Sequence, residues 1–389
     1  MIRTPTPAKR VKKPNIFLRL LALLTTAGLL LGALALVVYR DRFNLDALRR
    51  WMSYRAILTS ETGEAAPFPH SGGEKLSIAY LSSGVVTASA AGAHYYSLSG
   101  EQYAELVAPM DNPVLSHSRN SAVVYDVGGS TLCLFTGGNM YQNLPMDSGT
   151  DLLSARVNDS GWIAVTAQQS GYKGAVSVYD SRQQPVIQIS LSSTFVVDAV
   201  ISPDCRTVAV ITMGQDGGDF FSRLLLFPVD QTEPRAQVEL TGTTVLDLDY
   251  EDGHVWVLGE DQLFIVPEDG SQPAVYPFGH SYIKEACLDG DGFALLLTSH
   301  YRSVSATHAT LVNSSGQAVQ TIELASQLLD FDCAGGYCAL LTASRADIYD
   351  SQLRLYASLE HMQGTRYLSL SSDGSAILST GQQARLFIP

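Results

Sequence analysis

Four acidic residues recur at equivalent positions of a repeated sequence pattern and are the candidates for binding chemistry: Asp198, Asp247, Glu285 and Asp330. If their side chains point into a common channel, they form an acidic arc at one mouth that attracts a cation or a basic peptide segment. The alternative is a repeated structural role, in which each carboxylate accepts hydrogen bonds from backbone N–H groups of a neighbouring turn. The sequence predicts a ligand or partner site at this arc, with the structural role as its competitor.

No other motif predicts a reaction or a cofactor. Residues 289–292, Asp-Gly-Asp-Gly, begin like a calcium loop but lack the third acidic position and the distal glutamate, so a tight turn is predicted. The histidines include no pair at metal-ligand spacing, since His300 and His308 are eight residues apart. Nucleophile elbow, phosphate-binding loop and HExxH motifs are absent. We therefore predict no catalytic residue, no metal and no cofactor, and an enzyme is less expected than a binding protein.

The five cysteines leave the choice between thiols and disulfides open. Cys333 and Cys338 flank a predicted turn and could face each other across a hairpin. The total is odd, and all five lie in apolar contexts typical of strands, which favours buried thiols.

A repeated all-β element must position these residues. After residue 75 the chain consists of short alternating or β-branched runs separated by Asp-Gly, Gly-Gly and Ser-Gly turns. The segment Val245–Val266 aligns without a gap to Leu328–Tyr349, so that Asp247 matches Asp330. Each unit contains strands a, b and c and a shorter strand d within about 35–45 residues, which is the signature of a β-propeller blade.

The number of units and the form of the last one predict how the ring closes. About eight units run from Leu76 to Ile388, and the last one ends after its third strand. A closed ring then needs a fourth strand from the N-terminal side, and residues Ala65–His70 are available for it. Closure removes the unpaired sheet edges that invite aggregation. We therefore predict an all-β fold with a single closed propeller, of eight blades or, as the alternative, seven.

The charge of the chain is divided between two regions of opposite sign. The whole chain has 25 basic and 38 acidic residues and a net charge of −13. Residues 1–39 contain six basic side chains and no acidic one, so the remaining chain holds 19 basic and 38 acidic residues. Such an acidic body argues against a nucleic-acid partner, whose binding surface is basic.

An uncharged segment lies between the basic tail and the acidic body. From Leu20 to Tyr39 there are twenty consecutive residues without a charge, and a helix of that length spans about 30 Å, the thickness of the hydrocarbon core. A cleavable signal peptide has a shorter apolar region of about 7–15 residues, so an uncleaved signal anchor is favoured. The acid-free tail favours a cytoplasmic N-terminus and an extracytoplasmic body.

These observations divide the chain into four regions. We predict a basic cytoplasmic tail at residues 1–15, a transmembrane signal anchor at 16–39, a juxtamembrane helix and linker at 40–74 and the propeller at 75–389. Residues 43–58 have apolar side chains at helical spacing and arginines on much of the other face. This helix either lies in the membrane interface or packs as a stalk.

The turns of the repeat also carry a family resemblance. The segments SPDCRTVAV (Ser202–Val210) and SSDGSAILS (Ser371–Ser379) resemble those of WD40-like and quinoprotein-like propellers. Together with the basic tail, the single anchor and the Ser/Gly-rich repeats, the chain resembles the DUF5711 family of membrane proteins from Firmicutes over essentially its whole length. This resemblance implies a membrane-anchored propeller with no assigned activity, and it carries no functional residue over.

Two functions follow as hypotheses. The first is a non-catalytic, single-pass protein of the cell membrane whose propeller binds a protein or cell-wall partner and acts as a scaffold. The alternative is an extracytoplasmic enzyme that acts on a carbohydrate or peptidoglycan fragment with carboxylates at the channel mouth. An enzyme should show converging carboxylates of raised pKa in a deep pocket, whereas a scaffold should show an exposed apolar or aromatic patch.

Overall fold

The computed structural model describes residues 21, 23–28, 45–137, 140–144, 146 and 150–389. Its contacts divide the chain into two units, residues 1–53 and residues 54–389. Leu21 and residues 23–28 are helical, and helix α1 begins at Leu45 and ends at Tyr54. None of the helices in these described ranges is long and apolar enough to cross a membrane. The other residues of the anchor predicted at 16–39 lie outside the described part, so the anchor stays a prediction.

Helix α1 agrees with the amphipathic pattern of residues 43–58. Asp46 lies in the first turn, where a negative charge interacts favourably with the helix dipole. Leu48, Trp51 and Met52 are three and four residues apart on one face, and all three are exposed. The helix therefore has an apolar surface, as the sequence predicts.

The second unit contains eight four-stranded antiparallel sheets, counted over the described residues, which form the blades of a propeller. Strand β1 (Phe68–Pro69) precedes blade 1. Blades 1 to 4 follow in chain order as β2–β5 (Ser77–Leu81, Gly84–Ser89, Gly92–Tyr96, Gln102–Val107), β6–β9 (Pro113–His117, Ser121–Asp126, Leu132–Thr136, Met140–Asn143), β10–β13 (Leu152–Val157, Ile163–Ala167, Gly174–Tyr179, Pro185–Leu191) and β14–β17 (Phe195–Ile201, Thr207–Asp216, Asp219–Pro228, Ala236–Leu240).

The remaining four blades continue the same order. They are β18–β21 (Val245–Glu251, His254–Gly259, Gln262–Pro267, Ala274–Pro277), β22–β25 (Tyr282–Gly290, Phe293–Ser299, His308–Asn313, Ala318–Glu323), β26–β29 (Leu328–Ala334, Tyr337–Thr342, Arg345–Asp350, Leu355–Glu360) and β30–β32 (Tyr367–Leu370, Ala376–Ser379, Gln383–Phe387) with β1. The prediction of eight blades, rather than seven, is confirmed.

Blade 8 joins the two ends of the ring. Strand β1 pairs antiparallel with β32, so that Phe68 lies opposite Ala384 and Pro69 opposite Gln383. Phe68 is buried in a cluster that includes Tyr80 of blade 1 and Leu386 of blade 8. The fourth strand predicted from residues 65–70 is therefore present, and it seals both the sheet edge and the junction between the first and last blades.

The hydrophobic core lies between blades rather than within one of them. Strand β19 is an almost continuous buried apolar run, because both faces of its sheet pack against neighbouring sheets. One cluster joins Leu224 of blade 4 to Leu248 of blade 5, and another joins Trp256 of blade 5 to Leu296 of blade 6. The outermost strands are more exposed, as in β25. Each blade is therefore stabilised by its two neighbours.

The closing strand supplies a stability prediction. Phe68→Ala should lower the free energy of unfolding by about 3–5 kcal/mol, because the aromatic ring is removed from a buried junction. The matched control is Phe220→Ala, whose side chain is 76% exposed and whose loss should cost less than about 0.5 kcal/mol. Urea unfolding followed by far-UV circular dichroism measures both. Equal effects of the two substitutions would show that the junction does not stabilise the ring.

Candidate functional site: the central channel

The first strand of each blade lines the central channel. In blades 3 to 7 this strand has a register shift that inserts one extra residue, a β-bulge. The residue that follows the bulge is equivalent in all five blades: Ser154, Asp198, Asp247, Glu285 and Asp330. The four acidic residues singled out in the sequence therefore occupy one structural position, near the end of the channel where the first strands begin.

Arg156 of blade 3 links two of these acidic residues. Its Nη2 atom lies 2.8 Å from Oδ2 of Asp198 and 2.5 Å from Oδ1 of Asp247, on the next two blades. Its Nε atom also donates to Asp198 at 3.1 Å. Burial works against the charge of Arg156, but the two carboxylates outweigh it and hold its pKa well above the usual value. This part of the arc is an ion-pair network across three blades.

Asp330 has the structural role that competed with ligand binding. Its Oδ2 atom accepts a hydrogen bond from the backbone N–H of Leu368 in blade 8 at 2.6 Å, and its Oδ1 atom accepts one from Phe331 at 3.0 Å. Burial raises the pKa of Asp330 to about 7, although both N–H groups lower it. Glu285, by contrast, is exposed on β22. Whether the four residues bind a ligand stays a prediction.

A second group of carboxylates lies farther along the channel, towards the turns that join the first and second strands of the blades. It consists of Asp249 and Glu251 on β18, Asp289 on β22 and Asp332 on β26. The cavity there, which we call the turn mouth, encloses about 1010 Å³ including the part open to solvent. Residues from all eight blades line it, among them Tyr80, His117, Arg156, Glu251, Asp289 and Leu370.

Burial and mutual repulsion raise the pKa values of this group. Burial, followed by the charges of Asp289 and Asp291, raises the pKa of Glu251 to about 8. Burial also raises the pKa of Asp332 to about 6, and it raises the pKa of Asp249 well above its usual range with help from Asp289. Asp289 keeps an exposed surface in the channel, but the surrounding protein desolvates it and raises its pKa as well.

Basic side chains balance this group only in part. Against the effect of burial, His117 lowers the pKa values of Asp289 and Asp332. Arg119 lowers the pKa of Glu251, and Arg156 lowers the pKa values of both Asp249 and Asp289. Arg156 is already paired with two other carboxylates. The turn mouth therefore has more carboxyl groups than basic side chains, and bound protons supply part of the compensation.

These carboxylates were missed at the sequence level, although a signal was present. Side chains two residues apart in a strand point to the same face, so the reasoning that selects Asp247 extends to Asp249 and Glu251. The alignment of repeats also matches Asp249 with Asp332. The signal was obscured by the bulges, because an extra residue changes which side chains face the channel.

The predicted turn, the histidines and the cysteines can each be compared with the structure. Of the turn predicted at residues 289–292, Asp291 and Gly292 form the turn between β22 and β23, with Gly292 at a positive φ of 76°, whereas Asp289 and Gly290 belong to β22. His300 and His308, which lack metal-ligand spacing in the sequence, are neighbours, with ring centroids 5.3 Å apart. Cys333 and Cys338 lie directly opposite each other on β26 and β27, and all five cysteines are free thiols. The expectation that all five lie in strands is wrong for Cys205, which lies in a turn at positive φ and is only half-buried.

The raised pKa values predict that stability depends on pH. Where an acid has a higher pKa in the folded than in the unfolded state, the folded state binds more protons between the two values, so stability falls as pH rises. For Glu251 this interval runs from about pH 4.5 to about pH 8. Glu251→Gln should therefore raise the free energy of unfolding by about 1–2 kcal/mol near pH 8 and leave it unchanged near pH 4.5.

Urea unfolding across this pH range checks the dependence. The matched control is Glu233→Gln, which removes an exposed carboxylate outside the channel and should leave the pH profile unchanged. A pH profile that is the same for wild type and Glu251→Gln would contradict the assignment of Glu251 as a desolvated acid.

Comparison with solved structures supports the fold. The C-terminal WD40 domain of Sif2 is similar with a TM-score of 0.57 and 13% identity, covering 85% of this chain and 98% of that one. BamB from Moraxella catarrhalis gives a TM-score of 0.52 and 12% identity, covering 83% and 98%. The computationally designed Ika8 protein gives 0.58 and 12%, covering 82% and 98%. At such low identity these likenesses show a propeller fold and nothing about activity.

The family assignment rests on the sequence itself. No curated protein matches the chain. A family of unknown function, DUF5711, matches residues 60–373, which include most of the strands and all of the carboxylates described above. The chain, an eight-bladed propeller with an acidic channel, belongs to the DUF5711 family.

Proposed function

We propose that this protein is a non-catalytic binding module at the cell envelope, held by a single membrane span, whose propeller binds a cationic group of a protein or cell-wall partner at the turn mouth. The observation that carries the proposal is the excess of carboxylates there. Asp249, Glu251 and Asp289 line this cavity, and Asp332 lies next to Asp289. The nearby basic groups only partly balance these four carboxyl groups.

The energetics favour a cationic ligand. Like charges held together in a desolvated cavity raise one another's pKa values, and a pKa difference of one corresponds to about 1.4 kcal/mol. A bound ammonium or guanidinium group removes that repulsion, so part of the energy lost by gathering the carboxylates is regained on binding. The same cavity disfavours anionic ligands.

A scaffolding role is supported at the opposite mouth. The extra residue of the first-strand bulge is an exposed apolar side chain in three blades: Val197, Leu246 and Leu329. Phe195, at the start of β14, is also exposed. Because these positions are equivalent in their blades, they lie at one end of the ring, where they favour contact with a protein surface.

The location is proposed from the sequence. The basic tail of residues 1–15 and the uncharged segment that follows it favour a signal anchor with a cytoplasmic N-terminus. The propeller is then extracytoplasmic, next to the membrane surface and the cell wall.

A second candidate function has its own observation in favour. The pKa of Glu251, raised by burial to about 8, leaves this carboxyl group protonated at neutral pH, as a general acid requires. An enzyme acting on a carbohydrate or peptidoglycan fragment would use it together with a neighbouring carboxyl group such as that of Asp289. Hydrolysis of such a fragment by wild type, lost in Glu251→Gln, would assign the protein to this class instead.

Binding of an oligolysine peptide, measured by isothermal titration calorimetry, tests the proposed function. The triple variant Asp249→Asn, Glu251→Gln, Asp289→Asn should bind at least about tenfold more weakly than wild type and should remain folded, because neutralisation relieves repulsion. Binding to wild type should weaken as salt is added.

A charge-matched variant separates the channel from overall charge. Asp216→Asn, Asp219→Asn and Glu233→Gln remove the same number of exposed carboxylates, two of them at the tip of the β15–β16 hairpin. This variant should bind oligolysine as wild type does. If both triple variants lose affinity equally, attraction by net charge explains binding and the proposal fails.

Deletion of residues 1–39 tests the proposed location. The full chain should fractionate with membranes and resist extraction by carbonate, whereas the shortened chain should not, because the uncharged segment is removed. Added protease should digest the propeller in whole cells stripped of their wall and leave a cytoplasmic marker intact. Protection of the propeller in that experiment would reverse the proposed orientation.

A further inference from the structure

Three potential metal ligands meet on the wall of the channel where blades 6 and 7 adjoin. They are the thiol of Cys287, the carboxylate of Asp289 two residues later on β22, and the carboxylate of Asp332 on β26. Their ligand atoms all lie within 4.8 Å of one another. The Sγ atom of Cys287 is 3.5 Å from Oδ2 of Asp289 and 3.9 Å from Oδ1 of Asp332.

These separations suit tetrahedral coordination. With metal–sulfur bonds of about 2.3 Å and metal–oxygen bonds of about 2.0–2.2 Å, a tetrahedral ion separates its sulfur and oxygen ligands by about 3.5–3.7 Å. The two observed separations need changes of a few tenths of an ångström at most. We propose that Cys287, Asp289 and Asp332 bind a divalent transition-metal ion of the zinc class, with a fourth position open to the channel.

A buried oxygen beside this group has no partner. The Oδ2 atom of Asp249, on the neighbouring strand β18, is enclosed by protein and accepts no hydrogen bond from any described residue. Asp249 and Asp289 both line the turn mouth, on the first strands of adjacent blades. An enclosed carboxylate oxygen without a donor is costly unless a cation is close by. A metal ion on Asp289 supplies that positive charge.

The surroundings of Asp332 favour a fixed ligand. Its Oδ2 atom accepts hydrogen bonds from the backbone N–H of Leu370 at 2.7 Å and from the hydroxyl group of Ser369 at 3.1 Å, both in blade 8. Such contacts orient a ligand before the metal arrives, as outer-shell partners do at known metal sites. Oδ1 is the oxygen that faces Cys287.

The ligand set selects a zinc-like ion over calcium or magnesium. A thiolate is a soft ligand that favours zinc and its neighbours, whereas calcium requires six to eight oxygen atoms. Binding replaces the thiol proton of Cys287, which is released to solvent as the metal–sulfur bond forms. Affinity should therefore increase with pH.

The metal site goes beyond the proposed function and does not depend on it. Cys287→Ser changes no charge at neutral pH, so it should remove metal binding and leave oligolysine binding as in wild type. Each proposal can therefore fail without the other.

Titration of the full chain with Co²⁺ and Zn²⁺, in buffer without a thiol reductant, tests the site. Wild type should bind one Co²⁺ with the near-ultraviolet absorption of a thiolate–cobalt bond, and Zn²⁺ should displace it while Ca²⁺ and Mg²⁺ do not. Loss of a residue that only orients a metal ligand lowers metal affinity about 10–100-fold. Cys287→Ser and Asp332→Asn each remove a ligand itself, so each should lower the affinity for Co²⁺ by more than that. Cys205→Ser, which removes the half-buried thiol outside the group, should bind as wild type does.

Asp289→Asn separates metal binding from folding. Neutralising this carboxylate relieves repulsion within the channel, so the metal-free protein should become more stable while its affinity for metal falls. A purely structural residue does not give this combination. Failure of wild type to bind either ion, or retention of the cobalt spectrum in Cys287→Ser, would overturn the proposal.

Discussion

The interior of this propeller is governed by one constraint, the convergence of eight first strands on a single narrow channel. The side chains that these strands turn inwards share one space, and the surrounding protein desolvates many of them. Apolar side chains could fill it, but here the two groups described above bring eight carboxyl groups to it, among them Asp198, Asp249, Asp289 and Asp332. Each must be balanced by a cation, by backbone donors or by a bound proton, because an isolated charge in such a place is costly.

The protein uses all three means at different depths. Near the start of the strands, Arg156 joins Asp198 and Asp247 across three blades, so the network also fixes how those blades are arranged. At Asp330 and Asp332 the neighbouring blade supplies backbone N–H groups. Nearer the turns, cations and backbone donors do not balance all the carboxylates. Burial raises the pKa of Glu251 to about 8, so this group binds a proton at neutral pH and loses its charge. The carboxylates at the turn mouth are the least balanced, so this is where we place the binding site.

The sequence contained most of the architecture but only part of the site. Turn residues and aligned repeats such as Val245–Val266 predict the blades, their number and the strand that completes the last one, because these depend on local patterns. Arg156 could not be found in this way, since its partners Asp198 and Asp247 are 42 and 91 residues away along the chain. The cluster of Cys287, Asp289 and Asp332 depends on how two blades adjoin and on a bulge, which no single repeat specifies.

Closure by β1 has a consequence for the order of folding. Phe68 precedes, and its partner Ala384 follows, nearly all the other strands of the propeller, so their pairing spans almost the whole domain. Blades 1 to 7 can form in turn, each packing one face of its sheet on the blade before, but the ring stays open until β32 is complete. A nascent propeller that stalls before β32 therefore leaves β1 without its pairing strand and leaves the junction around Phe68 without Ala384 and Leu386. The step that closes the ring is the last to become possible.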